Sequence, residues 1–144
     1  MKISDAGLNL IKGFESFSAK EYICPAGKRT IGYGHVIRPG ESFADIDEAK
    51  GLELLADDCA IAENFINATT PGLTQNEFDA LVSFVFNVGV GAYDASTMKK
   101  LLKAGEKSAA AGEFLKWDHV HGVVLAGLTR RREAERAMFL GESA

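Results

Sequence analysis

Residues 13–37, GFESFSAKEYICPAGKRTIGYGHVI, contain the change of pattern on which the fold turns. Upstream of it, Ile3, Gly7, Leu10, Ile11 and Phe14 recur at helical spacing, and Ser4 or Asp5 stands where a helix cap belongs. The helix ends at or near Glu15, which places a carboxyl beside the apolar stripe instead of opposite it. From about residue 20 to 42 the helical period is lost. CPAG at 24–27 and Pro39-Gly40 are turn signals, and Arg29 to His35 mixes β-formers with glycine. A small, irregular antiparallel sheet is predicted there. Folded back over the helix end, it would gather Glu15, Cys24 and Thr30 around one cleft.

Downstream the pattern is helical again. Ile46, Ala49, Leu52, Leu55, Ala56, Cys59, Ala62 and Ile66 predict a long helix over about 45–67, able to bridge two lobes and to bury Cys59. Pro71-Gly72 closes that segment. Thr74 to Glu77 reads as a capping box that opens a strongly apolar helix, stopped by Gly89 and Gly91. Ser96 can cap a short helix that stops at Gly105. Another is predicted over about 107–117, and a last one over 128–140 after Gly127, with Ala134, Ala137, Met138 and Leu140 inward. The class is α+β, a single domain over 1–144. Its N-terminal lobe spans about 12–60. A helical C-terminal lobe spans about 70–144 and includes the first helix.

Composition narrows the functional classes. The chain has 144 residues, 47% of them hydrophobic and 25% charged, enough for one self-sufficient core. Cys24 and Cys59 make neither a disulfide framework nor a metal-ligand spacing, so no metal and no cofactor is expected. The N-terminus lacks the pattern of a signal peptide, and no apolar run approaches the roughly 18 residues of a membrane span. Residues 97–136 hold nine Lys or Arg against five Asp or Glu, although the whole chain carries −4. That suits either solvated helix faces or a surface that meets an anionic polymer. The acidic total and the absence of a continuous basic stripe oppose nucleic acid as the partner.

The run Glu15-x8-Cys24-x5-Thr30, continuing as Ile31-Gly32-Tyr33-Gly34-His35, resembles the catalytic signature of the phage-type lysozymes (endolysins), glycoside hydrolase family 24. LTQNEFDALVSFVFNVG at 73–89 resembles the start of that family's C-terminal lobe, and GLTRRREAERAMFLG at 127–141 resembles its last helix. The resemblance covers about residues 5–141. It implies a lysozyme-like fold, with a small sheet lobe joined by a long helix to a helical lobe. It also implies a monomeric, cofactor-free hydrolase that cuts the β-1,4 bond between N-acetylmuramic acid and N-acetylglucosamine in peptidoglycan, with inversion. By position, Glu15 matches the general acid and Thr30 the residue that helps hold the hydrolytic water. Cys24 stands where many members carry Asp. Phe86 matches an aromatic of the sugar groove, Arg131, to within one residue, matches a basic group near the acid, and Asn87 and Ser96 match further groove contacts.

The residue types suit that chemistry. Glycoside hydrolysis needs one group to protonate the leaving oxygen and a second to activate water or stabilise the positive ring. An apolar surround such as Phe14 and Ile11 favours a protonated acid. A nearby arginine works the other way, which points to an orienting role for it. Cys24 has two roles open to it. It acts as base or nucleophile, with Lys28 or Arg29 lowering its thiol, or it only packs and positions water. His35, with no carboxylate pair nearby in sequence, reads as structural, and Trp117 as an anchor between helices. Of Arg130, Arg131, Arg132 and Arg136, one is expected in the cleft and the others on the surface. Two other outcomes share the fold: a lytic transglycosylase, and a catalytically weakened wall-binding module. The chain is expected to be made in the host cytoplasm and to reach the wall through a pore formed by a separate holin-like protein.

Overall fold

The computed structural model describes residues 1–142. The first helix, α1 (Asp5–Glu15), starts where the Ser4 hydroxyl accepts from the Gly7 amide and ends at Glu15. Three antiparallel strands follow in the order β1 (Ser18–Ile23), β2 (Arg29–Gly32) and β3 (His35–Val36). Tyr22 pairs with Thr30, and Thr30 with Val36. The bridging helix α2 (Glu48–Thr69) begins three residues later than its apolar period suggests. Asp47 fixes the start, because its carboxylate accepts the Lys50 amide at 2.8 Å.

The capping box forms as read, and α3 (Gln75–Val88) runs from it. Gly89 stops α3, but Gly91 does not terminate anything: it lies inside a short helix, α4 (Val90–Asp94). Ser96 caps α5 (Thr97–Lys103). The segment expected as one helix to 117 is α6 (Lys107–Glu113) followed by a single 3-10 turn, Phe114–Lys116. A hairpin absent from the sequence reading, β4 (His119–Val120) with β5 (Val123–Val124), leads into α7 (Ala126–Phe139). Gly127 therefore lies within α7 instead of before it.

Two apolar clusters form. The larger surrounds α3, whose Phe78, Leu81, Val82 and Phe84 are fully buried among side chains of α1, α2 and the C-terminal helices. The smaller lies under the sheet and consists of Ile31, Ile37 and Leu54 with Phe43 and Ile46 packed against it. Helix α2 serves both: Leu54 enters the small cluster, while Leu55, Cys59, Ala62 and Ile66 enter the large one. Trp117 anchors as expected, edge-on to Phe84 with ring centroids 5.5 Å apart. The inward face of α7 agrees with the prediction at Met138, which packs against the large cluster, and differs elsewhere. Arg131, Arg132, Glu135 and Phe139 are buried, whereas Leu140 is exposed. Among the described residues no helix is long and apolar enough to cross a membrane.

Candidate active site

Glu15 is the last residue of α1, and the chain turns sharply after it. Ser16 adopts φ 57° and ψ 163°, and its amide still closes the helix by donating to the Lys12 carbonyl at 3.0 Å. That conformation is almost reserved for glycine. It carries the chain from the helix axis into β1 within two residues. Two further elements meet the Glu15 side chain, which remains 18% exposed. From α7, Nη1 of Arg131 donates to Oε2 at 3.0 Å. From the β2–β3 turn, Gly34 lies so close that a Cβ there would be 2.6 Å from Cδ of Glu15.

Cys24 sits in the turn between β1 and β2, whose closure is marked by its amide donating to the Lys28 carbonyl at 2.9 Å. Partial burial pushes the thiol up. The backbone amides of Lys28 and Ala26, the Thr30 hydroxyl and the Lys28 charge outweigh it, and the thiol lies below its ordinary value. Lys28 thus acts in the direction expected. Arg29 does not, because its guanidinium is spent on Glu21, with Nε and Nη2 2.7 and 2.8 Å from the two carboxylate oxygens. Thr30 is buried, and its hydroxyl donates to the Lys28 carbonyl at 2.9 Å.

Tyr22 is the residue that the sequence reading missed. It lies opposite Thr30 in the sheet, and burial followed by the charges of Glu15 and Cys24 pushes its phenol up. Its ring therefore stands within the electrostatic reach of both groups. The signal was available in proximity: Tyr22 precedes Cys24 by two residues, at the end of the strand that leads into its turn.

Phe86 is half-buried and lines a cavity of about 300 Å³ together with Gly34, Val36, Arg38, Asp58 and Ile61. Gly34 lines this cavity and also packs against the Glu15 carboxyl. Asn87 is exposed at the following position, and its Oδ1 accepts from Nη2 of Arg132 at 2.6 Å. Ser96 is not brought to the groove. It is buried, its hydroxyl donating to the Tyr93 carbonyl at 2.6 Å and accepting the Lys99 amide at 3.1 Å. That is a helix cap with its hydrogen bonds filled. His35 is buried as a structural residue should be, but it does have a carboxylate pair. Nδ1 is 2.7 Å from Asp58 and Nε2 is 3.0 Å from Glu41.

Behind Arg131, two arginines are buried where one was expected. Glu135, fully enclosed, stands between them. Its Oε2 is 3.3 Å from Nε of Arg131 and accepts the Ser83 hydroxyl at 2.5 Å, and its Oε1 is 2.9 Å from Nε of Arg132. Arg132 also lies over the Phe84 ring, 5.0 Å from its centroid. Burial lowers the Arg132 guanidinium to about 10, so it stays cationic at neutral pH.

Comparison with known proteins bears on the family and the fold. The phage lysozyme family matches residues 12–135. The endolysin of Bacillus phage B103 is 47% identical over 99% of this chain, and the match spans 56% of that protein, about half its length. Among solved structures, the muramidase domain of SpmX from Asticaccaulis excentricus is 37% identical, with 96% of this chain and 97% of that one covered, and superposes with a TM-score of 0.85. A mutant of P22 lysozyme is 36% identical, with 97% and 99% covered, and gives 0.81.

Proposed function

The chain belongs to the phage lysozyme family, and from that premise we propose that it hydrolyses the β-1,4 bond between N-acetylmuramic acid and N-acetylglucosamine in peptidoglycan, for host cell lysis, with Glu15 as the general acid. The observation that carries this reading is the placement of Glu15. A partly exposed carboxyl packs against Gly34, which also lines the groove, and is held from the side by Arg131.

In the proposed reaction, the glycan lies along the groove against Phe86. Glu15 gives its proton to the glycosidic oxygen as the bond to the anomeric carbon breaks. A water held on the side of Thr30 and Cys24 adds to the anomeric carbon from the opposite face, and its proton passes to the Cys24 thiolate. The thiol of Cys24 lies below its ordinary value, which is the direction that favours this role. Thr30 is a positioning group, and Arg131 orients the acid. Asn87, at the groove edge, is a contact for the glycan. The enzyme works as a monomer without metal or cofactor, and reaches the wall through a separate holin-like pore.

Loss of turbidity of outer-membrane-permeabilised cells tests the reading. Wild type is expected to clear the suspension and Glu15→Gln to lose at least about 100-fold in rate. A wild type without lysis, or a variant with undiminished lysis, overturns it. Mass analysis of the products separates hydrolysis, which leaves a reducing muramic end, from transglycosylation, which leaves an anhydro end. Cys24→Ser is expected to slow lysis far more than Cys59→Ser, and Cys24→Asp to retain it. Equal, small effects of both serine substitutions remove Cys24 from the mechanism.

A further inference from the structure

Two positive and two negative side chains form a continuous chain from the groove into the core: Glu15, Arg131, Glu135 and Arg132. Every nitrogen of the Arg131 guanidinium is engaged. Nη1 faces Glu15 at 3.0 Å, Nε faces Glu135 at 3.3 Å, and Nη2 faces the Ser83 carbonyl and hydroxyl at 3.3 and 3.4 Å. Glu135 and Arg132 have no exposed side-chain surface. Enclosing so many charges is costly, and replacing such a network by apolar side chains is often neutral or stabilising. Fold stability alone therefore does not account for Glu135. Phe139, one turn along on the same face of α7, shows that the core accepts an apolar residue there.

We infer that Glu135 is a positioning residue for the acid: it holds the Arg131 guanidinium and shares its charge, so that Arg131 orients Glu15 without pairing with it alone. The inference rests on the proposed role of Glu15. Complete burial pushes the Glu135 carboxyl up, against the pull of Arg132, Arg131 and the Ser83 hydroxyl; the geometry, with a guanidinium nitrogen within 3.3 Å of each oxygen, is that of a carboxylate. With Glu15 ionised the four groups sum to zero. When Glu15 is protonated the four groups sum to +1, and Glu135 is then the carboxylate that faces both guanidiniums. Ser83, from α3, fixes the shared oxygen.

The other titratable groups facing this network are Asp118 near Arg132, Cys59 of α2 near Arg131, and Tyr22 near Glu15, with Cys24 beyond it. None of them separates Arg131 from Glu135. Removal of the Glu135 charge leaves Arg131 and Arg132 bearing on Glu15, which favours its ionised form. The alkaline limb of the rate against pH, where the acid loses its proton, should then move to lower pH.

The test is the initial lysis rate against pH for wild type, Glu135→Gln, Glu135→Asp and Ser83→Ala, with circular dichroism confirming the folded state. Glu135→Gln is expected to move the alkaline limb down by about one pH unit. Ser83→Ala, which keeps every charge and loosens only the shared oxygen, is expected to move it in the same direction by less, and provides the readout if Glu135→Gln does not fold. Glu135→Asp keeps the charge and should restore most of the wild-type limb. Folded variants whose rates fall with the limb unmoved overturn the inference, since a merely structural Glu135 gives that result. If Glu15→Gln lyses like wild type, the reading of Glu15 fails and this inference with it. An unmoved limb beside an inactive Glu15→Gln removes this inference alone.

Discussion

Gly34 has φ +76°, and a Cβ built on it would stand 2.6–2.8 Å from Cδ and both oxygens of Glu15. Only a hydrogen fits between that turn and the carboxyl. Gly34→Ala forces the carboxyl away from its position and strains the turn as well. A displacement of about 1 Å at such a group costs on the order of 100-fold in rate, so lysis should fall by that factor while the far-ultraviolet circular dichroism remains that of a folded chain. The two cysteines give a second contrast. Thiols react as thiolates. Cys24 lies below its ordinary value and is partly exposed, whereas burial pushes Cys59 up to about 12. Iodoacetamide should therefore modify Cys24 in the native protein, at a rate that rises with pH and levels off below the ordinary thiol range. Cys59 should be spared until the chain unfolds. Mass spectrometry of tryptic peptides reads both. Glu15, Cys24 and Thr30 were picked out by the resemblance of their run to the lysozyme signature, since none of the three residue types is distinctive by spacing alone. The partners of His35 were not legible: Asp58 lies 23 residues away on another element, and only the closed fold brings the two together.

At the scale of the elements, the starts were easier to read than the inward faces. Ser4, Thr74 and Ser96 each cap a helix through a hydrogen bond to an amide three residues on, a contact that sequence spacing alone defines. The inward face of α7 depends on distant partners. Arg131 and Arg132 are buried because Glu15, Ser83 and Asn87 receive them, at separations of 116, 48 and 45 residues. An apolar period therefore pointed to Ala134, Ala137, Met138 and Leu140, while the burial is strongest at charges. The two-residue strands β4 and β5 were too short to show any period. The junction of α1 and β1 carries the strain of this level of structure. Ser16 holds a backbone conformation that costs a non-glycine residue on the order of 1–3 kcal/mol. Its side chain makes no hydrogen bond among those of the described residues, so Ser16→Gly should release most of that cost against the extra chain entropy of glycine. A net gain of about 1 kcal/mol, or about 3 °C in Tm, is expected by thermal melting. A lower Tm would mean that the serine contributes something its geometry does not show.

Across the whole molecule, the acid and its partners arrive from different directions. Glu63 of α2 accepts the Ile3 amide at 2.7 Å, and Asp79 of α3 accepts the Ser4 amide at 2.9 Å, so α1 is tied to the helical core just ahead of its start. Gly7 lets α1 approach closely, since a Cβ there would stand 2.9 Å from that of Asp79. Glu15 is thus carried by the helical part, while Cys24 and Thr30 are carried by the sheet and its turn. Helix α2 couples the two, and Cys59 is the titratable group at the middle of its buried face. An unfolded cysteine ionises near 9.0, whereas burial pushes the folded thiol up to about 12. Between these values the unfolded chain has lost a proton that the folded chain keeps. Fewer protons on the unfolded state mean that stability falls as pH rises. Relative to pH 7, this one group should lower stability by about 1.4 kcal/mol at pH 10, or about 4 °C in Tm for a chain of this length. Cys59→Ala should lower stability at pH 7, because it leaves a small cavity, and should reduce the further loss between pH 7 and pH 10. Melting curves of both proteins at the two pH values provide the check. If the variant loses as much on going to pH 10 as the wild type does, the thiol in α2 is not the group that sets the alkaline limit of the fold.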